Sequence, residues 1–390
     1  MSTERERRIP NGMKPATRGD QNPLDTIEKA LRETIFGQSR AIDSLVRALN
    51  RARLGFNAGH SNRPRATLLF LGPTGVGKSE SAKRLAELLH PEGGGFLKID
   101  CSLFSQGHEV SALLGAPPSY VGRDQKPLFD PDIIEVDNSV ILFDEIEKGT
   151  TELWNLLLQI MEDGEITLLN GGRRVSFSKS IVIMTTNVGA KEMADFVDRR
   201  TIGFRTSQKD VEGTGQQIYQ IGFEALQRVF RPEWINRIDE VIAFRPLSSQ
   251  TLSYILDRMI KEANEQYMRH GIQVELTEDA RDYLLRRGFD PRFGARPLRA
   301  RLLKDLDAPL ADLLASGGIP EGCRVLVDLS EEEGSHGENL SFYYQPDEEL
   351  AAVARRHKSV QVAQEQKPQP DQPQHTPGPA VARSAEGSRR

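Results

Sequence analysis

The sequence predicts an α/β fold in which a five-stranded parallel sheet, flanked by helices, is followed by a small, mostly helical domain with a β-hairpin. Three observations predict it. Short continuous apolar runs alternate with helical periodicities as far as Phe244, a glycine-rich phosphate-binding motif separates the first run from a helix, and the pattern changes after Pro246. The chain of 390 residues is longer than two average domains, in keeping with two folded parts and extended ends.

Residues 1–23 are basic, contain Pro and Gly and show no period, so a flexible arm is expected there. The runs Thr67–Leu71, Phe96–Ile99, Ser139–Phe143, Ser180–Thr185 and Val241–Phe244 are continuous rather than alternating, which suits strands buried on both faces. Helical spacing falls between them over Ser79–Leu89, Leu153–Met161 and Gln216–Val229, and this alternation is α/β organisation. After Pro246, helical spacing recurs over Ser249–Arg269, Thr277–Arg287 and Pro297–Leu314. Arg324–Leu329 and Leu340–Tyr344, separated by a polar turn containing Gly, predict the hairpin. The large domain is therefore expected at 24–245 and the small one at 246–345. In 346–390, Leu, Ile, Val and Phe number five of 45 residues, and Lys367–Pro379 is dominated by Pro and Gln, so a disordered tail is expected, with a short helix near 347–358.

Composition narrows the function classes. Lys and Arg number 51 against 56 Asp and Glu, a net charge of −5, which gives no overall electrostatic reason to bind nucleic acid or an anionic membrane. Cys101 and Cys323 lie far apart without metal-like spacing, arguing against a disulfide scaffold or a zinc site. The start of the chain has no apolar core and carries two glutamates among its first eight residues, unlike a secretory signal or a mitochondrial presequence. No apolar run approaches the ~18 residues needed to span a bilayer. A cytoplasmic protein is expected.

The chemistry begins at Gly72-Pro73-Thr74-Gly75-Val76-Gly77-Lys78-Ser79, which fits the phosphate-loop pattern. Glycines let successive N–H groups turn toward phosphate oxygens, and Lys78 adds charge at the β and γ positions. Ser79 offers a hydroxyl to Mg²⁺, and the following helix points its N-terminal partial charge at the same anion. The strand at Ser139–Phe143 then delivers Asp144 and Glu145 at the ligand edge of the sheet. Asp144 is expected to hold Mg²⁺ with Ser79, and Glu145 to polarise the attacking water; phosphoryl transfer needs chiefly positioning and charge. A solvated acidic strand end is the bland alternative, and the phosphate loop outweighs it. The pair predicts a nucleoside triphosphatase.

With these motifs stand Ile35-Phe36-Gly37-Gln38, Gly115 to Gly122 (GAPPSYVG), Leu142 to Lys148 (LFDEIEK), Met184 to Asn187 (MTTN), Arg231 to Asp239 (RPEWINRID) and Gly294 to Pro297 (GARP). In this order, over about Leu24 to Tyr344, the chain resembles the AAA+ superfamily and within it the Clp unfoldases, in the C-terminal ATPase module of ClpA, ClpB and ClpC. The resemblance implies ATP as nucleotide and a homo-hexameric ring. It implies that Asn187 is the first sensor, orienting water near the γ-phosphate. Arg237 would be the arginine finger that reaches a neighbouring subunit, worth ~10³–10⁵ in rate; the alternative is a surface arginine paired with Asp239 or Glu240. Arg296 would be the second sensor, carried by the lid, and Ile35 and Phe36 adenine-side contacts, although core packing explains those two almost as well. Tyr120, with Val121, would line the pore and grip polypeptide, a task that suits an aromatic ring because it needs no sequence code.

The chain departs from the family in places. Ser119 stands where Gly usually precedes the pore aromatic, Lys126-Pro127 where a Gly pair follows, Leu103 where an acid is familiar, and Gly149-Thr150 where Ala-His is usual. Asp163–Gly172 corresponds to the lower pore loop but differs in detail. No N-terminal substrate domain or first ATPase module is seen, so a single ring is expected, its substrate choice coming from the short arm, the tail, the pore or an adaptor. Ile202-Gly203-Phe204 lies where Clp unfoldases carry the tripeptide that docks a ClpP-like peptidase, yet Ile221-Gly222-Phe223 repeats it inside a helical pattern. Docking and a loop anchored on its own domain both stay open. The leading expectation is an ATP-dependent unfoldase or chaperone that threads polypeptide through a hexameric pore. Protease-independent remodelling or disaggregation and a nucleotide-gated assembly scaffold are the alternatives, and a nucleic-acid motor fits the charge and the Tyr120 loop poorly.

Overall fold

The computed structural model of the chain describes residues 24–56, 62–115, 126–201, 208–289, 294–331 and 338–355. Its strands are β1 (Ala66–Leu71), β2 (Phe96–Asp100), β3 (Val140–Asp144), β4 (Glu165–Thr167), β5 (Arg174–Ser176), β6 (Ile181–Thr186), β7 (Glu240–Ala243), β8 (Ile272–Leu276), β9 (Cys323–Glu331) and β10 (Glu338–Pro346). By their contacts the residues divide into two compact units.

The first unit contains the described residues up to Ile260 together with Glu278–Pro309, less the undescribed 290–293. Its sheet has the order β2-β3-β6-β1-β7, and every pairing is parallel. The continuous apolar runs have a physical reason here. Leu69, Ile141, Phe143, Val182 and Met184 face one core, which also takes Leu153, Leu157 and Ile160 from the helix Thr151–Asp163. Leu68, Phe70, Val140, Leu142, Ile181 and Ile183 face the other core, covered by the helices Ser39–Arg53 and Lys78–Leu89. With both faces buried, alternation has no polar side to show. The expected helix at Gln216–Val229 is longer in the structure, Gln208–Val229. Its Ile221-Gly222-Phe223 is packed: Phe223 stacks on Tyr219 at 5.8 Å, and a Cβ on Gly222 would meet Met193 and Leu71. In that copy of the tripeptide Gly222 is buried and Ile221 and Phe223 are half-buried, packed against the core.

The helical stretch expected over Pro297–Leu314 is composite. It begins as Arg296–Arg301, widens to π-helical spacing over Leu302–Asp307 and resumes over Ala308–Ala315. Its first residues and Gly294 belong to the unit that carries the phosphate loop.

The second unit comprises Lys261–Thr277 and the described residues from Leu310. The expected hairpin is present as β9 antiparallel to β10, and β8 joins it, parallel to β9. Asn264 anchors β8, donating to the Val274 carbonyl at 2.9 Å and accepting the Val274 N–H at 2.7 Å. Residues 348–355 are helical and bury Leu350 and Ala354. Among the described residues no helix is long and apolar enough to cross a membrane.

Candidate nucleotide site

Three neighbouring strands deliver the site from one sheet edge: β1 runs into Gly72, β3 ends in Asp144, and β6, hydrogen-bonded between them, runs into Asn187. Ligands of open parallel sheets bind at this carboxyl edge. Gly77 caps the helix Lys78–Leu89 with φ +102°, leaving that helix's N-terminal amides beside the loop. Gly72 passes so close to β7 that a Cβ would lie 2.5 Å from the Phe244 carbonyl oxygen.

Lys78 is buried, at 6% exposure, and donates to the carbonyls of Gly72 and Pro73, each at 2.6 Å, and to Asn187 Oδ1 at 2.9 Å. Burial pushes its ammonium down to about 8, although Glu147, Asp144 and Glu145 favour the charged form; Arg296 opposes it. Asn187 Oδ1 also accepts from the Thr74 hydroxyl at 3.2 Å. The amide's other end donates to Glu147 Oε1 at 3.1 Å and to Glu145 Oε1 at 3.4 Å. Its orientation is thereby set, oxygen toward the lysine and nitrogen toward the carboxylates.

Asp144 Oδ1 accepts from Ser79 Oγ and from Thr185 Oγ1, each at 2.6 Å, while Oδ2 pairs with Lys98 at 2.7 Å. Burial works to raise this carboxyl's pKa, but the hydrogen bonds from Lys98, Ser79 and Thr185 outweigh it and hold the group below its ordinary value. Glu145 has φ 58° and ψ 54°, a left-handed conformation uncommon outside glycine, and its Oε2 pairs with Lys148. Glu147 Oε2 is buried without a partner. The hydroxyl of Ser79 against the carboxylate of Asp144 is the oxygen donor set of a hard divalent cation, so these residues fit Mg²⁺.

The other expected site residues are placed as follows. Ile35 is buried under Gly77, 3.3 Å from where a Cβ would stand, and Phe36 stacks on Tyr254 at 6.4 Å. Beside the loop a small apolar cleft is lined by Pro73, Val76, Val197, Pro246, Leu247 and Phe289. Gly294, with φ +59°, sits against the carbonyls of Thr74 and Gly75, and the Ala295 N–H donates to Gly75 O at 3.3 Å. Arg296 follows at once and is close enough for its charge to act on Lys78. Arg237 pairs with Glu162 at 2.5 Å, both side chains being half-buried. Asp239 and Glu240 are engaged elsewhere: Asp239 accepts the Thr67 N–H at 2.7 Å, and Glu240 pairs with Arg51 at 2.6 Å. Tyr120, Val121, Ile202, Gly203 and Phe204 lie outside the described residues.

Sequence reasoning left Thr185, Glu147, Lys98 and Gln38 without roles. Gln38, buried within a quoted motif, donates to Arg245 O at 2.8 Å and Val76 O at 3.4 Å and accepts the Arg245 N–H at 2.9 Å. It ties the turn before the helix Ser39–Arg53 to the phosphate loop and to the exit of β7.

Comparison with known proteins matches residues 63–241 to the family described as AAA domain (Cdc48 subfamily), and residues 247–327 to the C-terminal, D2-small domain of ClpB protein. The chaperone protein ClpB of Aquifex aeolicus is 38% identical over 317 residues, which is 80% of this chain and 30% of that protein. The ATP-dependent Clp protease ATP-binding subunit ClpC of Staphylococcus saprophyticus is 38% identical over 311 residues, 79% of this chain and 37% of its own. ClpC of Staphylococcus aureus strain USA300 is 37% identical over 309 residues, with the same shares. The chain thus spans about a third of the length of the curated relatives it matches.

Proposed function

Since this chain belongs to the Clp family of AAA+ ATPases, we propose that it couples ATP hydrolysis to the unfolding of polypeptides drawn through the pore of a homo-hexamer. The observation that carries the reading is the convergence of Lys78, Asp144, Glu145 and Asn187 at one sheet edge. A scaffold that only binds nucleotide has no need of a carboxylate held in a left-handed backbone beside a fixed amide.

In this reading Lys78 sets its charge against the β and γ phosphates, and Ser79 and Asp144 hold Mg²⁺. The bound ion would neutralise charge on the transferring phosphoryl group. Glu145, released from Lys148, accepts a proton-side hydrogen bond from the attacking water, which the Asn187 amide orients. The cleft beside Pro73 and Val76 takes the base, with Ile35 and Phe36 supporting it. Arg237 crosses to the next subunit: its pair with Glu162 is partly open to solvent and worth about 1 kcal/mol, so a phosphate can replace the carboxylate. Arg296, at the start of a helix docked on the loop through Gly294 and Ala295, reports the nucleotide's state to the segment 246–345, acting as lid.

Tyr120 and Val121 grip the substrate, and Ile202–Phe204 dock a ClpP-like peptidase. One relative is named a chaperone and two are named ATP-binding subunits of a protease, which supports an ATP-driven motor under either outcome. The test is ATP-dependent loss of fluorescence from a tagged, stably folded reporter, with and without a peptidase chamber. Loss in the wild type that Tyr120→Ala abolishes is expected; robust ATPase with unfolding unaffected by Tyr120→Ala would contradict threading. Deleting 202–204 is expected to stop degradation and spare ATP hydrolysis.

A further inference from the structure

Thr185 stands near the C-terminal end of β6, paired with Phe70 of β1, and is 1% exposed. A threonine hydroxyl has one proton and two lone pairs. Its Oγ1 lies 2.6 Å from Asp144 Oδ1, and an ionised carboxylate only accepts, so the proton goes to Asp144. One of its two lone pairs accepts the Glu145 N–H at 2.9 Å. One buried hydroxyl therefore touches both members of the acidic pair, fixing the carboxylate of the first and the backbone of the second.

Each contact answers a specific need. Glu145 follows the last residue of β3 in a left-handed turn with φ 58°, which the surrounding structure must hold in place. The N–H of that turn is bonded to Thr185. Asp144 has three side-chain donors, but Lys98 is 49% exposed and Ser79 is itself assigned to the cation. Thr185 is the donor that is both buried and not assigned to the cation. The adjacent Thr186, equally buried, bonds locally instead and accepts the Val188 N–H at 3.2 Å.

We propose that Thr185 is a positioning residue of the ATPase site, whose hydroxyl holds Asp144 and Glu145 in their working geometry. The inference rests on the assignment of those two residues in the reading above. Partners of metal ligands commonly carry about 10–100-fold in metal affinity or activity, and Thr185 should fall in that range.

The experiment uses the full chain and two readouts, kcat for ATP and the Mg²⁺ concentration that half-saturates binding of a fluorescent ATP analogue. Hydrolysis by the wild type that Glu145→Gln abolishes first establishes the underlying assignment; its absence would fail that reading, and this inference with it. Thr185→Val, which keeps the shape and loses the hydroxyl, is expected to lower kcat and raise the Mg²⁺ midpoint, each by about 10–100-fold. Thr185→Ser is expected to match the wild type in both. A valine variant that folds, by circular dichroism and melting, yet keeps the wild-type Mg²⁺ midpoint would overturn the proposal. Should the valine variant not fold, the serine variant decides: a wild-type midpoint supports the hydroxyl, and a tenfold loss assigns the effect to methyl packing and overturns it.

Discussion

Lys78 makes nucleotide binding depend on pH in a way that can be worked out. Its ammonium is buried against two backbone carbonyls and an amide oxygen, and the burial pushes it from 10.5 to about 8. A lysine lowered in the folded state destabilises the fold while both states are protonated. The difference corresponds to roughly 3 kcal/mol, and it fades as pH rises from about 8 to 10.5, so this group's contribution to stability improves with pH over that window. Binding behaves oppositely. Phosphate oxygens need the charged lysine, and at pH 9 only about one site in eleven would carry it, against nearly all at pH 7. The apparent dissociation constant for ATP is therefore expected to rise about tenfold between pH 7 and pH 9. At pH 8 binding should take up about half a proton, visible by calorimetry in two buffers of different ionisation enthalpy. Lys78→Met, which has no proton to take up, should bind weakly and lose the pH dependence. A wild-type dissociation constant that stays flat from pH 7 to 9, with no proton uptake, would refute this account of the lysine.

Two further outcomes are expected. Gln38→Met keeps the volume but orphans the backbone N–H and carbonyl of Arg245, which should cost about 2–4 kcal/mol in chemical denaturation; a loss under about 0.5 kcal/mol would show that the staple is dispensable. Arg237→Ala should lower steady-state ATPase by about 10³-fold or more while leaving nucleotide affinity intact. Mixing it with Glu145→Gln subunits should restore activity, because intact fingers then meet intact glutamates across interfaces; failure of the mixture to recover would place the arginine's role within its own subunit.

The sheet was legible because burying both faces writes continuous apolar runs that few other structures produce. Strand β8 was not read: Ile272–Leu276 alternates over only five residues directly after a long helix, too short a window to carry a period. The three-residue β4 and β5 give no period at all, and nothing in Leu302–Asp307 announces the widened helical turn. In the site, Gly72–Ser79, Asp144 and Glu145 stood out because the chemistry dictates their residue types. Thr185 and Glu147 did not, since their importance comes from the register of β6 beside β3, and threonine is common in buried strands. The Arg237–Glu162 pair joins residues far apart in sequence and follows only from packing.

The most direct measurement of the central claim is ATP hydrolysis by the purified chain, wild type beside Glu145→Gln, with nucleotide binding followed in the same samples. Turnover is expected in the wild type, and in the variant a loss of at least about 10²-fold with binding retained. Equal turnover in the two proteins would contradict that claim, and would remove Glu145 from the chemistry on which the motor reading depends.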